Sequence, residues 1–350
     1  MSRKKFNVLE VTGYGVAIAV FSSVVFFSLN CTATPIEGRA SAWNKVSAAP
    51  PGAASLFASD DTHVWLVGSE SDEAVIWRWY GTKLVEEFRY GEKKSDLHDI
   101  DFFGRTGWAV GEVNAAGKRS GLLLRYEDGS WTRVLNVPES RTGFSKVSAS
   151  SRDGCWLMGY GEVFRYEREN WTRFGDLPNA CDIGFCNPGR GFITTDLGPY
   201  IWVFDGAGWV RENVVLPPGF STSRLSYIAP IPEGAFFNCS LFTEGLSEFY
   251  YGAILRRDAA PPGEGTYDLV FFAPPGPYFS HVSGLSYADG GNGIAVGYLT
   301  SVACEDGVYY EEILDRDFGT PFAVAVLGPR DYWMLAKTEQ GGNILARYKK

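Results

Sequence analysis

The chain writes one passage several times. Gly121–Val134 reads GLLLRYEDGSWTRV, Gly161–Phe174 reads GEVFRYERENWTRF, and Tyr200–Asn213 reads YIWVFDGAGWVREN. Each sets down an apolar run, an Arg-Tyr or its relative, a turn and a Trp, in that order. A second signature precedes the first. It is Val64-Trp65-Leu66-Val67-Gly68, then Gly107-Trp108-Ala109-Val110-Gly111, then Cys155-Trp156-Leu157-Met158-Gly159. Looser copies are Gly191–Thr194, Ala235–Asn238, Gly293–Gly297 and Tyr332–Ala336. A period of about 45 residues, held over seven copies, requires an architecture in which each unit buries its apolar faces against its neighbours.

Each repeat holds four runs of strand length. In the second they are Leu97–Phe103, Trp108–Val113, Leu122–Tyr126 and Ser130–Leu135. Asp128-Gly129 between the last two is a hairpin signal, because a type I′ turn needs positive φ at both central residues. The runs are apolar throughout rather than alternating, which fits sheets covered on both faces. Four-stranded antiparallel sheets packed radially around an axis satisfy this. The seventh repeat stops after Phe322–Leu327, Asp331–Ala336 and Asn343–Tyr348. Its missing outer strand has a match in type at the other end, Ser41-Ala42-Trp43-Asn44-Lys45-Val46. The expected fold is all-β: a seven-bladed propeller over residues 41–350, closed by residues 41–47 on the C-terminal blade. The Trp of each second strand should pack between blades. The Gly after it should let the neighbouring sheet approach closely.

Residues 1–30 stand apart. Arg3, Lys4 and Lys5 precede a run, Val11–Asn30, without a charged residue. They read as a signal peptide or a membrane anchor, with residues 31–40 as a short spacer. Cys31 after the apolar run resembles the lipidation site of bacterial lipoproteins, with Asn30 departing from the small residue that site takes. Cleavage after Ala33 and retention as an uncleaved anchor are the alternatives. All three routes send the rest of the chain out of the cytoplasm, and a cell-envelope location is expected.

The formal net charge is −9, and no Lys/Arg cluster occurs outside the N-terminus. That argues against a phosphate-backbone partner, so no nucleic acid is expected. Beyond Cys31 there are five cysteines: Cys155, Cys181, Cys186, Cys239 and Cys304. An odd number leaves at least one free. Cys181 and Cys186 on one extended strand lie about 16 Å apart, too far for a disulfide. Cys239 and Cys304 could bridge neighbouring repeats; otherwise these are small buried apolar residues.

The repeats W-A-V-G, L-L-R-Y and W-T, over residues 41–350, resemble the seven-bladed propellers of bacterial exported proteins. They are more loosely similar to Asp-box propellers such as sialidases and to the photosystem-assembly-factor type. No Trp-Asp dipeptide occurs, so the chain does not read as a WD-repeat protein, and Gly-Gly is too rare for kelch repeats. The resemblance implies a fold. It implies no activity, since propellers host enzymes, adhesins and scaffolds alike.

Chemistry is sparse. His98 and His281 sit near the starts of channel-lining strands at unequal register, and His63 opens a second strand. Asp99, Asp101 and Asp182 are expected at the channel, where a calcium site is one reading. No G-x-S-x-G elbow is present. No catalytic residue, metal ligand or cofactor is assigned. Connections between strands two and three share a face with those leading to the next blade. Insertions at Glu112–Ser120 and Ser240–Glu248 fall there, joined by 89–96 and 274–280, while Asp258–Gly265 falls on the opposite face. Long loops on a rigid scaffold commonly carry function. Glu112, Lys118, Arg119, Glu244, Tyr250 and Tyr310 are the binding candidates. The expectation is a non-enzymatic, membrane-anchored envelope propeller that binds a protein partner or a glycan through one loop face. A glycan-active, sialidase-like enzyme and an assembly factor for a membrane complex are the alternatives.

Overall fold

The computed structural model describes residues 37–38 and 42–349, apart from 93, 217, 244–245, 273–281, 299 and 315. Residues 1–30, expected as a signal peptide or anchor, and Cys31, Glu244 and His281 lie outside the described residues.

Seven antiparallel four-stranded blades form the molecule. In blades 1–6 the strands run inner to outer in chain order. Blade 1 is Ala53–Ala58, Val64–Glu70, Glu73–Trp79 and Leu84–Arg89. Blade 2 is Ser95–Phe103, Thr106–Ala115, Lys118–Glu127 and Ser130–Arg133. Blade 3 is Lys146–Ser151, Gly154–Gly159, Glu162–Glu167 and Asn170–Asp176. Blade 4 is Ala180–Asn187, Arg190–Thr195, Tyr200–Phe204 and Trp209–Asn213. Blade 5 is Phe220–Ile231, Gly234–Thr243, Leu246–Asp258 and Tyr267–Phe272. Blade 6 is Val282–Tyr287, Gly293–Gly297, Thr300–Glu305 and Val308–Ile313. Blade 7 takes Thr320–Gly328, Asp331–Lys337 and Asn343–Lys349 from the C-terminus and its outer strand, Trp43–Ala49, from the N-terminus. Trp43 pairs with Tyr348 and its indole N–H donates to Ser301 Oγ of blade 6 at 3.0 Å. The expected closure is therefore present. Glu37–Gly38 adds a short parallel strand to the outer edge of blade 6, where Glu37 lies opposite Tyr310.

The core is distributed as seven apolar clusters, one in each seam between blades. Blades 7 and 1 share Trp333, Leu335 and Leu66. Blades 1 and 2 share Trp65, Val67 and Leu97. Blades 2 and 3 share Trp108, Leu123 and Phe164. The same arrangement continues around the ring. No blade has a core of its own, which is why the sequence shows no alternation of apolar and polar residues.

The repeated Arg-Tyr follows from this packing. In four blades the second-strand Trp lies directly opposite an Arg on the third strand: Trp65 and Arg78, Trp108 and Arg125, Trp156 and Arg165, Trp333 and Arg347. Each guanidinium covers its indole at 4.7–5.6 Å from the ring centre. Planar cations over indole are stabilising, and they keep the charge near solvent while the ring is buried. The Tyr that follows packs on the outer-strand Trp, as Tyr126 does on Trp131 at 5.1 Å and Tyr166 on Trp171 at 4.9 Å.

The second-strand Gly has a nearer reason than the adjacent blade. A Cβ at Gly68 would stand 1.9 Å from Gly52 O, and one at Gly111 would stand 1.8 Å from Asp96 O. Both oxygens belong to the chain entering the same blade. The inner strand bulges at this point, with the register passing from Ala53–Gly68 to Ser55–Val67 and from Leu97–Gly111 to Asp99–Val110. A bulge pushes one residue out of the ladder and bends the strand onto its partner.

Candidate functional site

The bulges set the channel. One residue per blade stands opposite the residue before the second-strand Gly or its equivalent: Ser55, Asp99, Lys146, Asp182, Gly284 and Ala323. In blade 5 a wider bulge puts Tyr227 there, its N–H donating to Asn238 Oδ1 at 2.6 Å. These seven line a central channel of about 630 Å³. The bulk and polarity of this ring lie on blades 1–5. On blades 6 and 7 it has only Gly284 and Ala323.

The expected channel carboxylates are there, and all are engaged. Asp99 Oδ1 accepts from Ser55 Oγ of blade 1 at 2.9 Å, and Oδ2 accepts from the Val147 N–H of blade 3 at 3.1 Å. Asp101 accepts from Ala149 N–H at 2.8 Å and Phe102 N–H at 2.8 Å. Asp182 accepts from Ile228 N–H of blade 5 at 3.0 Å and Ile183 N–H at 3.1 Å. Adjacent inner strands lack a shared ladder, and these side chains supply hydrogen bonds across the seams instead. Burial lifts the Asp101 carboxyl to about 7, partly offset by its two backbone donors and aided by Asp99. Burial raises Asp182 as well, against the pull of Lys146. For Lys146, burial opposes the charge, but the carboxylates of Asp182 and Asp99 outweigh it and hold the ammonium above its ordinary range.

Lys146 and Tyr227 were not singled out from the sequence. The register of each inner strand depends on its bulge, so spacing alone does not align Lys146 with Asp99. The signal available was a polar residue about a dozen positions ahead of the second-strand Gly in blades 1–3, Ser55, Asp99 and Lys146. His98, the bulged residue of blade 2, lines the channel, whereas His63 is outside it and pairs with Asp60 at 2.7 Å.

The face carrying the connections between strands two and three has a different character. Glu112–Ser120 is not a loop. The ladder continues through Glu112–Gly121, Asn114–Arg119 and Ala115–Lys118, and only Ala116-Gly117 turns, both at positive φ. In blade 5 the ladder likewise runs to Thr243–Leu246, and Tyr250 lies on its returning strand. The hairpin of blade 2 gathers Glu112, Lys118 and Arg119. Arg119 pairs with Glu112 at 3.6 Å and Lys118 with Glu139. Tyr310 is not with them, since it sits on the outer strand of blade 6. The large apolar side chains this face leaves in solvent are Leu135, Tyr160, Leu197, Val215 and Tyr298, each 49–79% exposed. Tyr160 occupies a hairpin turn at φ 47°, a conformation bulky residues seldom adopt. Among the described residues, the opposite face exposes Tyr80 and Phe103, each at 44%, while Val210 and Ile313, at 38% and 62%, are exposed on the outer strands of blades 4 and 6.

Asp258–Gly265, on that opposite face, is built into the scaffold. Arg257 is fully buried and holds Glu212 of blade 4 through two contacts, at 2.7 and 2.8 Å. Its remaining N–H groups donate to the carbonyls of Asp258, Ala260 and Pro261. Tyr267 and the Gly263 N–H donate to Glu212. The five cysteines are free, so the bridge between Cys239 and Cys304 is absent. Those two are buried in the separate seams of blades 4–5 and 5–6.

These features define a seven-bladed β-propeller with a closed ring. No protein-family model matches the chain, and no curated protein matches it in sequence. Among solved structures, the fold is similar to that of YCF48 bound to a D1 peptide, at 15% identity and a TM-score of 0.63, covering 93% of this chain and 100% of that one. It is similar to YCF48 from Cyanidioschyzon merolae, at 15% identity and TM-score 0.62, covering 88% and 99%. The extracellular domain of the putative one component system BT4673 from B. thetaiotaomicron matches at 13% identity and TM-score 0.59, over 88% of this chain but 40% of that one. At these identities the likeness is one of fold.

Proposed function

We propose that the protein is a non-catalytic propeller, exported and held at a membrane through its N-terminal segment, that binds a protein partner on the hairpin face. The observation that carries this reading is the set of exposed apolar side chains there. Exposed apolar groups that gather on one side of a soluble fold mark interaction sites, and binding energy concentrates in aromatic and aliphatic anchors. Leu135, Tyr160, Leu197 and Val215 arc over blades 3 and 4 and their borders. Nearby charges are largely paired with each other, as in Lys118–Glu139 and Arg141–Asp176, so this arc suits an uncharged apolar segment. A propeller of this fold holding a D1 peptide is a precedent for peptide binding. The non-catalytic part is supported by the channel carboxylates, whose oxygens already accept hydrogen bonds from the scaffold. The membrane part is supported by Val11–Leu29 and Cys31, and it makes a membrane or envelope protein the natural partner.

The test places a photo-crosslinking residue at position 160 or at position 80 of a C-terminally tagged chain in intact cells. The expected result is one discrete protein adduct from position 160 and none from position 80. Equal labelling from both positions, or no adduct from position 160, refutes the face assignment. Cys31→Ser should abolish metabolic palmitate labelling; unchanged labelling rules out lipidation at that residue.

A further inference from the structure

The central channel has one charged group left with open hydrogen-bonding capacity. Lys146 Nζ makes no hydrogen bond to any described residue, and its ion-pair partner Asp182 Oδ1 is 3.6 Å away. All six oxygens of Asp99, Asp101 and Asp182 already accept a hydrogen bond from the scaffold. The ring of His98 and the hydroxyl of Tyr227, both on channel-lining residues, also lack hydrogen-bond partners among the described residues. These three groups come from blades 2, 3 and 5. In a seven-fold ring, blade 3 faces the border of blades 6 and 7. There the ring has only Gly284 and Ala323, beside the half-buried Phe322 and Val324. Free volume and an apolar wall therefore lie across from the ammonium. A channel of about 630 Å³ is of the size that takes small ligands.

The electrostatics choose the ligand. One ammonium stands beside two carboxylates, Asp99 and Asp182, so an incoming anion meets repulsion. A cation meets Lys146. A neutral oxygen acceptor meets neither penalty and satisfies the open N–H donors. Hydroxyl groups also suit the second lone pairs of the carboxylates. The apolar wall suits the C–H face of a ring.

We propose that the central channel is a binding site for a neutral saccharide of one or two rings, with Lys146 and Tyr227 donating to its hydroxyl oxygens and the wall of blades 6 and 7 covering its apolar face. This site is separate from the hairpin face and does not depend on a protein partner there.

The experiment is saturation-transfer NMR and calorimetry on the full chain in a polyoxyethylene detergent, which carries no sugar headgroup. The probes are glucose, galactose, N-acetylglucosamine, maltose and cellobiose, against inorganic phosphate, acetate and agmatine. Binding of at least one saccharide is expected, in preference to all three ions. Tyr227→Phe should weaken it about tenfold, the worth of one hydrogen bond. Lys146→Met should remove it and Lys146→Arg restore part. If Lys146→Met fails to fold, the Tyr227→Phe result stands alone as the test. Tighter binding of phosphate, acetate or agmatine overturns the proposal. So does the absence of binding by every saccharide, or saccharide binding that Tyr227→Phe leaves unchanged.

Discussion

At Gly68, Gly111 and Gly159 a single methyl group would collide with a backbone oxygen about 2 Å away. At Gly111 neither side can yield, because Asp96 belongs to the same hydrogen-bonded ladder. Gly111→Ala should therefore cost about 3 kcal/mol. Gly91→Ala, with no atom within 4 Å of the added carbon, should be nearly neutral. Urea denaturation of the two variants measures the difference. Asp101 carries a prediction of the opposite kind. Its carboxyl is raised from the usual range to about 7. A raised carboxyl contributes stability that is fully present below its unfolded value and is lost as pH rises through the folded one. The thermal midpoint should thus decline between about pH 4 and pH 7 through this group, and Asp101→Asn should flatten that decline. An unchanged slope in the variant would show that Asp101 is not the group responsible. Much at this scale was legible in the sequence. The second-strand Trp and the third-strand Arg were visible as a repeat, because the pair shares one register position in the four blades that have it. Lys146 was not, because a bulge of one residue changes which side chain faces the channel while leaving the composition untouched.

At the scale of strands and hairpins, apolar runs and turn residues located the blades, and Asp128-Gly129 turns as expected with both residues at positive φ. The connections were harder to read. Glu112–Ser120 looks like a loop because it is polar, yet its backbone remains paired almost to the tip. A hairpin standing beyond the blade has no neighbouring sheet to cover it, so its strands lose the apolar signature while keeping the ladder. The converse holds for Asp258–Gly265, which reads as a free insertion and is tied down by Arg257 and Glu212. Burial works to raise the Glu212 carboxyl, but Arg257, Tyr267 and the Gly263 N–H outweigh it and hold it low. Glu212→Gln leaves a buried guanidinium without its counter-charge and should cost about 3–5 kcal/mol. Hydrogen exchange at Gly263 and Thr266 should quicken in the same variant. Slow exchange there, with stability unchanged, would show that the loop is held by something else.

At the scale of the whole molecule, stability is shared among seven seams, so the ring stands or fails as a unit. A chain beginning at Ala54 lacks the outer strand of blade 7 and should melt early and without a sharp transition. If it melts like the full ring, the closing strand is not needed for stability. The seven-fold count was legible because three C-terminal strands and one N-terminal strand make a single blade. The channel's asymmetry was not, because it depends on which seven residues share one level. The closure also has a consequence in time. Pro50 and Asn343, which meet where the ring shuts, are 293 residues apart. At about 5–20 residues per second, synthesis separates them by about 15–60 s. Trp43 and its strand are made first and spend that interval without a partner, an open edge available to any other strand nearby. The nascent chain holds the first half of its own clasp from the start and can fasten it only when its last strand arrives.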